Sequence, residues 1–174
     1  MESAAIIPEH EVLIATTIFL IERGPIPYRF SVASGKNLNS SGAIDHLREV
    51  FLKRGLTPNF TGNGADILAI SDTEWWAIEC KGFGSGTPQT HRNNFDRALA
   101  SVVSYFEDEP QGLSDQNLRS LTFYLGLAIP ATRAYLNELR KRVRMPLRKK
   151  LNLWILLYEP EIKTIRPILP EEAI

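Results

Sequence analysis

The chain has 174 residues, of which 20 are Lys or Arg and 20 are Asp or Glu, so its formal net charge is zero. Its length and its hydrophobic content of 44% are typical of one soluble globular domain with a sizeable core. The single cysteine, Cys80, excludes an intramolecular disulfide and a thiolate zinc site, and it favours a reducing cytoplasm. The apolar run at 12–21 is too short to span a bilayer, so we expect no membrane association.

The first third of the chain reads as two helices separated by an extended segment and a polar loop. The pattern at 8–23 predicts a helix that ends at a Gly-Pro pair, and residues 26–32 are expected to be extended. A stretch rich in Ser, Gly and Asn at 33–42 predicts a loop. A second helix follows at 42–54 and ends at Gly55. Its apolar face consists of Ile44, Leu47, Val50 and Phe51.

The rest of the chain is predicted to alternate strands with helices. A short strand at 57–60 precedes a hairpin, and the glycine-rich segment 82–86 is expected to be a mobile loop. Thr87 caps a helix that has Pro88 in its first position and ends near Glu107. Its buried stripe is Phe95, Ala98, Leu99, Val102, Val103 and Phe106. The remaining predicted elements are a buried strand at 121–129, a helix at 131–144, and strands at 151–158 and 162–168.

The hairpin predicted at 64–81 brings two carboxylates together. Two short apolar runs rich in Ile and Trp flank its polar turn. A pairing symmetric about the turn sets Ile70 opposite Trp75. Counting outward from that pair sets Asp66 opposite Glu79, where Cβ atoms are about 4.5–5.5 Å apart. Two acids there repel each other, but hard cations such as Mg²⁺ bind through one or two carboxylates together with substrate phosphates.

Lys81 adds an ammonium group to the same end of the hairpin. It lies two residues beyond Glu79, and strand side chains repeat with a period of two, so we expect both on one face. From there the lysine can reach a water or phosphate at the metal. Each residue also has an ordinary structural interpretation: Asp66 as a turn residue, and Glu79 and Lys81 as solvent-facing strand residues. Cys80 points the other way and is expected to be a small core residue.

The run of Asp66, twelve intervening residues and then Glu79-Cys80-Lys81 resembles the signature of the PD-(D/E)XK nuclease superfamily, which includes restriction endonucleases and archaeal-type Holliday junction resolvases. The sequence departs from the family at the name-giving proline, where Ala65 stands. The resemblance implies that Asp66 and Glu79 bind Mg²⁺ or Mn²⁺, that the backbone carbonyl of Cys80 is a further ligand, and that Lys81 is catalytic.

The resemblance also implies a fold. We expect one α/β domain over 1–174, with a restriction-endonuclease-like αβββαβ core at about 42–129 and a mixed central sheet flanked by helices. An extra N-terminal helix and a C-terminal extension at 131–174, a helix plus strands, would be additions. The family's helix after the Lys strand often carries a Gln that faces the site, and Gln89 is the nearest match, although a solvent-exposed role is equally open.

Some branches of the family also use a Glu on the helix before the strands. Asp45 and Glu49 are candidates here, but neither has the expected spacing, so this ligand stays unassigned.

The positive charge of the chain is concentrated between Arg133 and Lys150. That segment contains eight basic residues and one acid, a charge of +7, so the remainder carries −7. A basic stripe on an otherwise acidic protein is a candidate phosphate-binding surface, although a solvated helix face would have the same composition. The residues expected to contact nucleic acid are Arg140, Lys141, Arg144 and Arg148.

Together these patterns predict a Mg²⁺- or Mn²⁺-dependent endonuclease that hydrolyses phosphodiester bonds in DNA. Cleavage of both strands of a duplex needs two sites, which favours a homodimer. The alternative is a module on the same fold that binds nucleic acid, or takes part in an assembly, without cutting. A third possibility is a protein-interaction domain, whose DNA affinity would lack the salt dependence of phosphate contacts.

Overall fold

A computed structural model describes residues 6–31, 42–61, 64–106 and 121–174, which form five helices and seven strands. The helices are α1 (Glu9–Arg23), α2 (Ala43–Leu52), α3 (Pro88–Ser104), α4 (Arg133–Arg142) and α5 (Met145–Leu151). The strands are β1 (Ile26–Ser31), β2 (Phe60–Thr61), β3 (Ile67–Ile70), β4 (Glu74–Cys80), β5 (Thr122–Pro130), β6 (Leu153–Glu159) and β7 (Thr164–Ile168).

All seven strands belong to one mixed sheet in the order β2-β1-β3-β4-β5-β6-β7. Strand β3 is antiparallel to both of its neighbours, β1 and β4, whereas β4, β5 and β6 are parallel to one another. At the edges, β2 is parallel to β1, and β7 is antiparallel to β6. The predicted α/β class, with a mixed sheet flanked by helices, is confirmed.

Helices cover both faces of this sheet. Side chains alternate along a strand, so Trp76 and Glu79 of β4 lie on opposite faces. The Arg23 guanidinium of α1 lies over the rings of Trp76 and Trp154. The Tyr105 hydroxyl, at the end of α3, reaches Glu79 on the other face. The helix α2 packs against α1, and its Phe51 ring contacts Phe30 of β1.

The helix boundaries follow the capping residues that the sequence contains. Gly24 ends α1 with φ at +125°, a conformation that glycine adopts without a Cβ clash. Thr87 caps α3, since its hydroxyl oxygen accepts the Thr90 N–H, and Pro88 follows. Thr132 caps α4 in the same way, accepting the Tyr135 N–H. Each of these helices therefore lies close to its predicted position.

Several predicted details differ from the structure. The apolar stripe of α3 ends earlier than predicted: Val103 and Phe106 are exposed, the latter at 52%, while Phe95, Ala98 and Val102 are buried. The short helix α5 was not predicted. It begins after Arg144, where Pro146 suits a first turn, and it moves the start of the next strand from 151 to 153.

Some predictions fall outside the described residues. These are the loop at 33–42 apart from Gly42, and the end of the third helix at Glu107. Within the described ranges, no helix has both the length and the apolar composition needed to cross a membrane.

Candidate functional site

The hairpin has the register that the sequence predicted. Ile70 pairs with Trp75, and the pairing continues to Ile67 opposite Ile78. Asp66 lies one residue before β3, so the next position across the ladder is Glu79, the penultimate residue of β4. The two acids therefore stand at the same end of the hairpin.

The Asp66 side chain is buried at 1% exposure and fixed against β4. Its Oδ2 accepts the backbone N–H of Cys80 at 2.7 Å. Its own backbone carbonyl accepts the Ser31 N–H at 3.1 Å, which ties it to β1 as well. The Asp66 carboxylate thus lies against the peptide group between Glu79 and Cys80, next to the position the metal ligands were predicted to share.

The Glu79 carboxylate is also buried, at 8% exposure, and it has a partner that the sequence did not reveal. The Tyr105 hydroxyl donates to Glu79 Oε2 at 2.5 Å. Burial, and then this hydrogen bond to a carboxylate, raise the pKa of Tyr105 well above its ordinary value, and the charge of Asp66 adds to the shift. Tyr105 therefore remains a neutral donor to Glu79 at physiological pH.

Lys81 lies at the same end of the sheet and is ion-paired. Its backbone N–H donates to the Ala128 carbonyl at 2.8 Å, which continues the pairing with β5. Its ammonium Nζ is 2.7 Å from Oε2 of Glu9, in the first turn of α1. Glu79 and Lys81 thus take their side-chain partners from different helices. Strand periodicity had predicted only that they share a face.

Glu9 reaches Lys81 because the start of α1 packs against the segment that follows β4. Ile7 and Phe83 exchange two backbone hydrogen bonds of 2.7 Å. At Gly82 a Cβ would lie 2.5 Å from the Glu9 nitrogen and 2.6 Å from the Ile7 oxygen. The glycine is therefore needed for the close approach of α1. The segment 82–86 was predicted to be a mobile loop, but residues 7–9 contact it at Gly82 and Phe83.

The site contains residues that the sequence could not connect. Glu9 is 72 positions from Lys81, and Tyr105 is 26 positions from Glu79, so no local pattern joins them. Tyr135 is a third such residue, because its hydroxyl donates to the Gly82 carbonyl at 2.9 Å. Burial raises the pKa of Tyr135 to about 12. Tertiary packing of α1, α3 and α4 around the end of β4 brings these residues together.

Three residues considered from the sequence have exposed positions on the helices α2 and α3. The Gln89 amide is exposed in the first turn of α3 and donates to Asn93 on the same helix. On α2, Asp45 accepts from Arg48, and Glu49 is exposed. The helix whose carboxylate does reach the site is α1.

The donor set is suited to a hard divalent cation. Asp66 and Glu79 supply two oriented carboxylates, and the carbonyl of Cys80 lies in the chain between Glu79 and Lys81. Among the described residues, no group of three or more His, Cys, Asp or Glu side chains is arranged to hold a metal. A site with two carboxylates matches Mg²⁺, which keeps several waters and completes its shell with substrate phosphates.

The basic residues between Arg133 and Lys150 divide into exposed and engaged side chains. Arg142 is 2.9 Å from Glu138 and also pairs with Asp96, so its charge is compensated. Arg140 and Arg144 line an open pocket of about 420 Å³. The exposed group, which we call the basic surface, comprises Arg133, Arg140, Lys141, Arg144, Lys149 and Lys150.

Arg148 does not belong to the basic surface. It is 1% exposed, and its guanidinium donates to the backbone carbonyls of Leu169 and Glu172. Burial lowers its pKa from the usual value. This burial contradicts the expectation that Arg148 contacts nucleic acid: the side chain secures the C-terminal residues against α5.

Comparisons of the chain with protein-family models, with curated proteins and with solved structures gave no match.

Proposed function

We propose that this protein is a divalent-metal-dependent endonuclease that hydrolyses phosphodiester bonds in DNA. The observation that carries the proposal is the arrangement at the end of β4. There the buried Asp66 carboxylate accepts the Cys80 N–H, and Tyr105 donates to the Glu79 carboxylate. Lys81 is the next residue after Cys80. Two buried acids at one strand end are a costly arrangement for stability alone, and they fit a catalytic role.

Each residue has a distinct role in this proposal. Asp66, Glu79 and the Cys80 carbonyl would hold Mg²⁺ or Mn²⁺. When bound, such an ion lowers the pKa of an attacking water and shields charge that develops on the phosphate. The Lys81 ammonium, held at 2.7 Å by Glu9, would donate to a phosphate oxygen or orient the attacking water. Glu9 is then a positioning residue for Lys81.

The basic surface would bind the substrate backbone. The first turn of α4 contacts Gly82 through Tyr135, so this helix begins beside the candidate site. Arg140 and Lys141 lie five and six residues beyond Tyr135, roughly 8–9 Å along the helix axis at 1.5 Å per residue. A DNA duplex that carries one phosphate charge per about 1.7 Å of axis could contact the site and this surface together. Cleavage of both strands would favour a homodimer.

The decisive experiment is cleavage of supercoiled plasmid and of labelled duplex with Mg²⁺, with Mn²⁺ and with EDTA. We expect cutting that requires the metal and is lost in Asp66→Ala and Lys81→Ala. Matched controls are Asp72→Ala, in the exposed turn of the same hairpin, and Lys53→Ala, an exposed lysine after α2. Both controls should cut like the wild type.

Other results would favour the alternatives. DNA that is retained in a gel but never cut would indicate the binding module. An absence of salt-dependent DNA affinity would indicate a protein-interaction domain.

A further inference from the structure

The buried Glu79 carboxylate is oriented by a tyrosine from another element. The Tyr105 O–H donates to Glu79 Oε2 at 2.5 Å, and the next acceptor, the Gly64 carbonyl, is 3.5 Å away. The shorter contact is a charge-assisted hydrogen bond, while the longer one is at the limit of bonding. The hydroxyl is thus committed to one oxygen of the glutamate.

The position of this hydroxyl is set by the fold. Tyr105 is the C-cap of α3, and its backbone N–H bonds the carbonyls of the last helical turn. Its ring packs against the core cluster, which includes Val102 one turn earlier. The backbone hydrogen bonds of the cap and the packing of the ring therefore fix where the tyrosine presents its hydroxyl.

We propose that Tyr105 is a positioning residue that orients Glu79 and strengthens divalent-metal binding at the site. The proposal rests on the proposed function, because it assumes that Glu79 is a metal ligand. A hydrogen bond to one carboxylate oxygen restricts the rotamer of the glutamate and so orients the whole carboxylate. Outer partners of this kind typically contribute 10–100-fold to metal affinity or activity.

The chain contains a matched control for this hydrogen bond. The Tyr158 hydroxyl donates to Glu11 Oε2 at 2.9 Å, between β6 and α1. Both pairs join a tyrosine to a glutamate, and both are partly buried. Substitution of either tyrosine by Phe removes one such bond and keeps the ring. The two variants should therefore lose similar thermal stability, while only one of them alters the candidate site.

The test is Mn²⁺ affinity, measured by calorimetry on the full chain with wild type, Tyr105→Phe and Tyr158→Phe. We expect Tyr105→Phe to weaken Mn²⁺ binding by about 10-fold or more. Tyr158→Phe should bind like the wild type. DNA affinity in EDTA should be the same for all three, because the hydroxyl acts on the metal site rather than on the phosphate contacts. Cleavage by Tyr105→Phe should recover at higher Mn²⁺ concentration.

Two results would overturn the inference while leaving the nuclease proposal intact. One is wild-type Mn²⁺ affinity in Tyr105→Phe. The other is an equal loss of affinity in Tyr158→Phe, which would show a general effect of stability. A wild-type protein that takes up no Mn²⁺ and cuts no DNA would instead overturn the proposed function, and this inference with it.

Discussion

Charged side chains near the candidate site are each held by a partner from a distant part of the chain. Glu9 pairs with Lys81 across 72 residues, and both side chains are about a quarter exposed. At this depth an ion pair is screened less than on the open surface, yet part of its Coulomb energy is offset by desolvation. Such a pair fixes geometry more than it adds stability.

The Glu9–Lys81 pair should show a measurable coupling. A double-mutant cycle with Glu9→Gln and Lys81→Met, followed by urea denaturation, isolates the pairwise contribution. We expect a coupling of about 0.5–1.5 kcal/mol, because a charge-assisted hydrogen bond is stronger than a neutral one but stays partly solvated here. The coupling should fall with added salt.

A second cycle provides the control for that measurement. Arg48 and Asp45 form an exposed i, i+3 pair at 3.2 Å on α2, where screening is greatest. Their coupling should be no more than about 0.5 kcal/mol. If the Glu9–Lys81 coupling were no larger than this, α1 would not hold the lysine in place.

Substitution of Arg148 should lower the stability of the protein, whereas substitution of its exposed neighbours should not. Arg148→Met removes donors from the Leu169 and Glu172 carbonyls. We expect a loss of about 2–4 kcal/mol in the free energy of unfolding, since carbonyls that lose a charged donor must be satisfied again. Arg140→Met, on the basic surface, should change stability by no more than about 0.5 kcal/mol. Urea denaturation of both variants measures the difference.

A DNA-binding measurement should also distinguish the roles of Arg140 and Arg148. Arg140→Met should weaken DNA affinity and reduce its salt dependence, because it removes a phosphate contact. Stable Arg148→Met protein with the same reduced salt dependence would contradict the structural role of Arg148.

At the scale of elements, α1 is docked on the site by its first turn. Ile7, just before the helix, forms a backbone bridge with Phe83, and Glu9 in its first turn pairs with Lys81. The backbone of residues 7–9 passes so close to Gly82 that a Cβ there would clash with it. The helix α1 therefore contacts the Trp76 face of the sheet through Arg23 and the end of β4 through Glu9. A displacement of its first turn should be transmitted to Lys81.

Gly82→Ala should displace that turn. The new Cβ would lie 2.5 Å from the Glu9 nitrogen, and backbone atoms cannot move aside as a flexible side chain can. We expect a loss of about 1–3 kcal/mol in urea denaturation, together with weaker cleavage. Gly84→Ala is the control, because a Cβ there meets nothing within 4 Å. Equal stability of the two variants would show that α1 does not need the close approach.

The sequence revealed what is local and missed what depends on packing. The hairpin register followed from a pairing symmetric about the short polar turn, the end of the first helix followed from Gly24, and the start of the third followed from Thr87. By contrast, nothing near Glu79 in the sequence pointed to Tyr105. The burial of Arg148 was hidden for the same reason, since its partners belong to the last residues of the chain.

The sheet order was likewise invisible in the sequence. The core expected at 42–129 begins with α2 and a strand at 57–60. In the structure, β3 lies between β4 and β1, and β2 is a two-residue edge strand on the far side of β1. Pairing between distant segments is decided by tertiary packing, which local composition does not encode.

For the whole molecule, three tyrosines with raised pKa values predict a common loss of stability at alkaline pH. Burial raises the pKa of Tyr135 and of Tyr158 to about 12, and it raises that of Tyr105 further. In the unfolded chain these phenols titrate near pH 10. The folded protein therefore binds more protons between about pH 10 and 12, and stability falls as pH rises through that window. Their full contribution is present below pH 10.

Thermal or urea unfolding of the wild type from pH 8 to pH 11 measures this loss. The Phe variants of Tyr135 and Tyr158 should each show a shallower fall, because one titrating phenol has been removed. Their stability relative to the wild type should therefore improve as the pH rises, even where they start less stable at pH 8. A slope that stays unchanged in both variants would mean that these hydroxyls ionise in the folded protein as easily as in the unfolded chain.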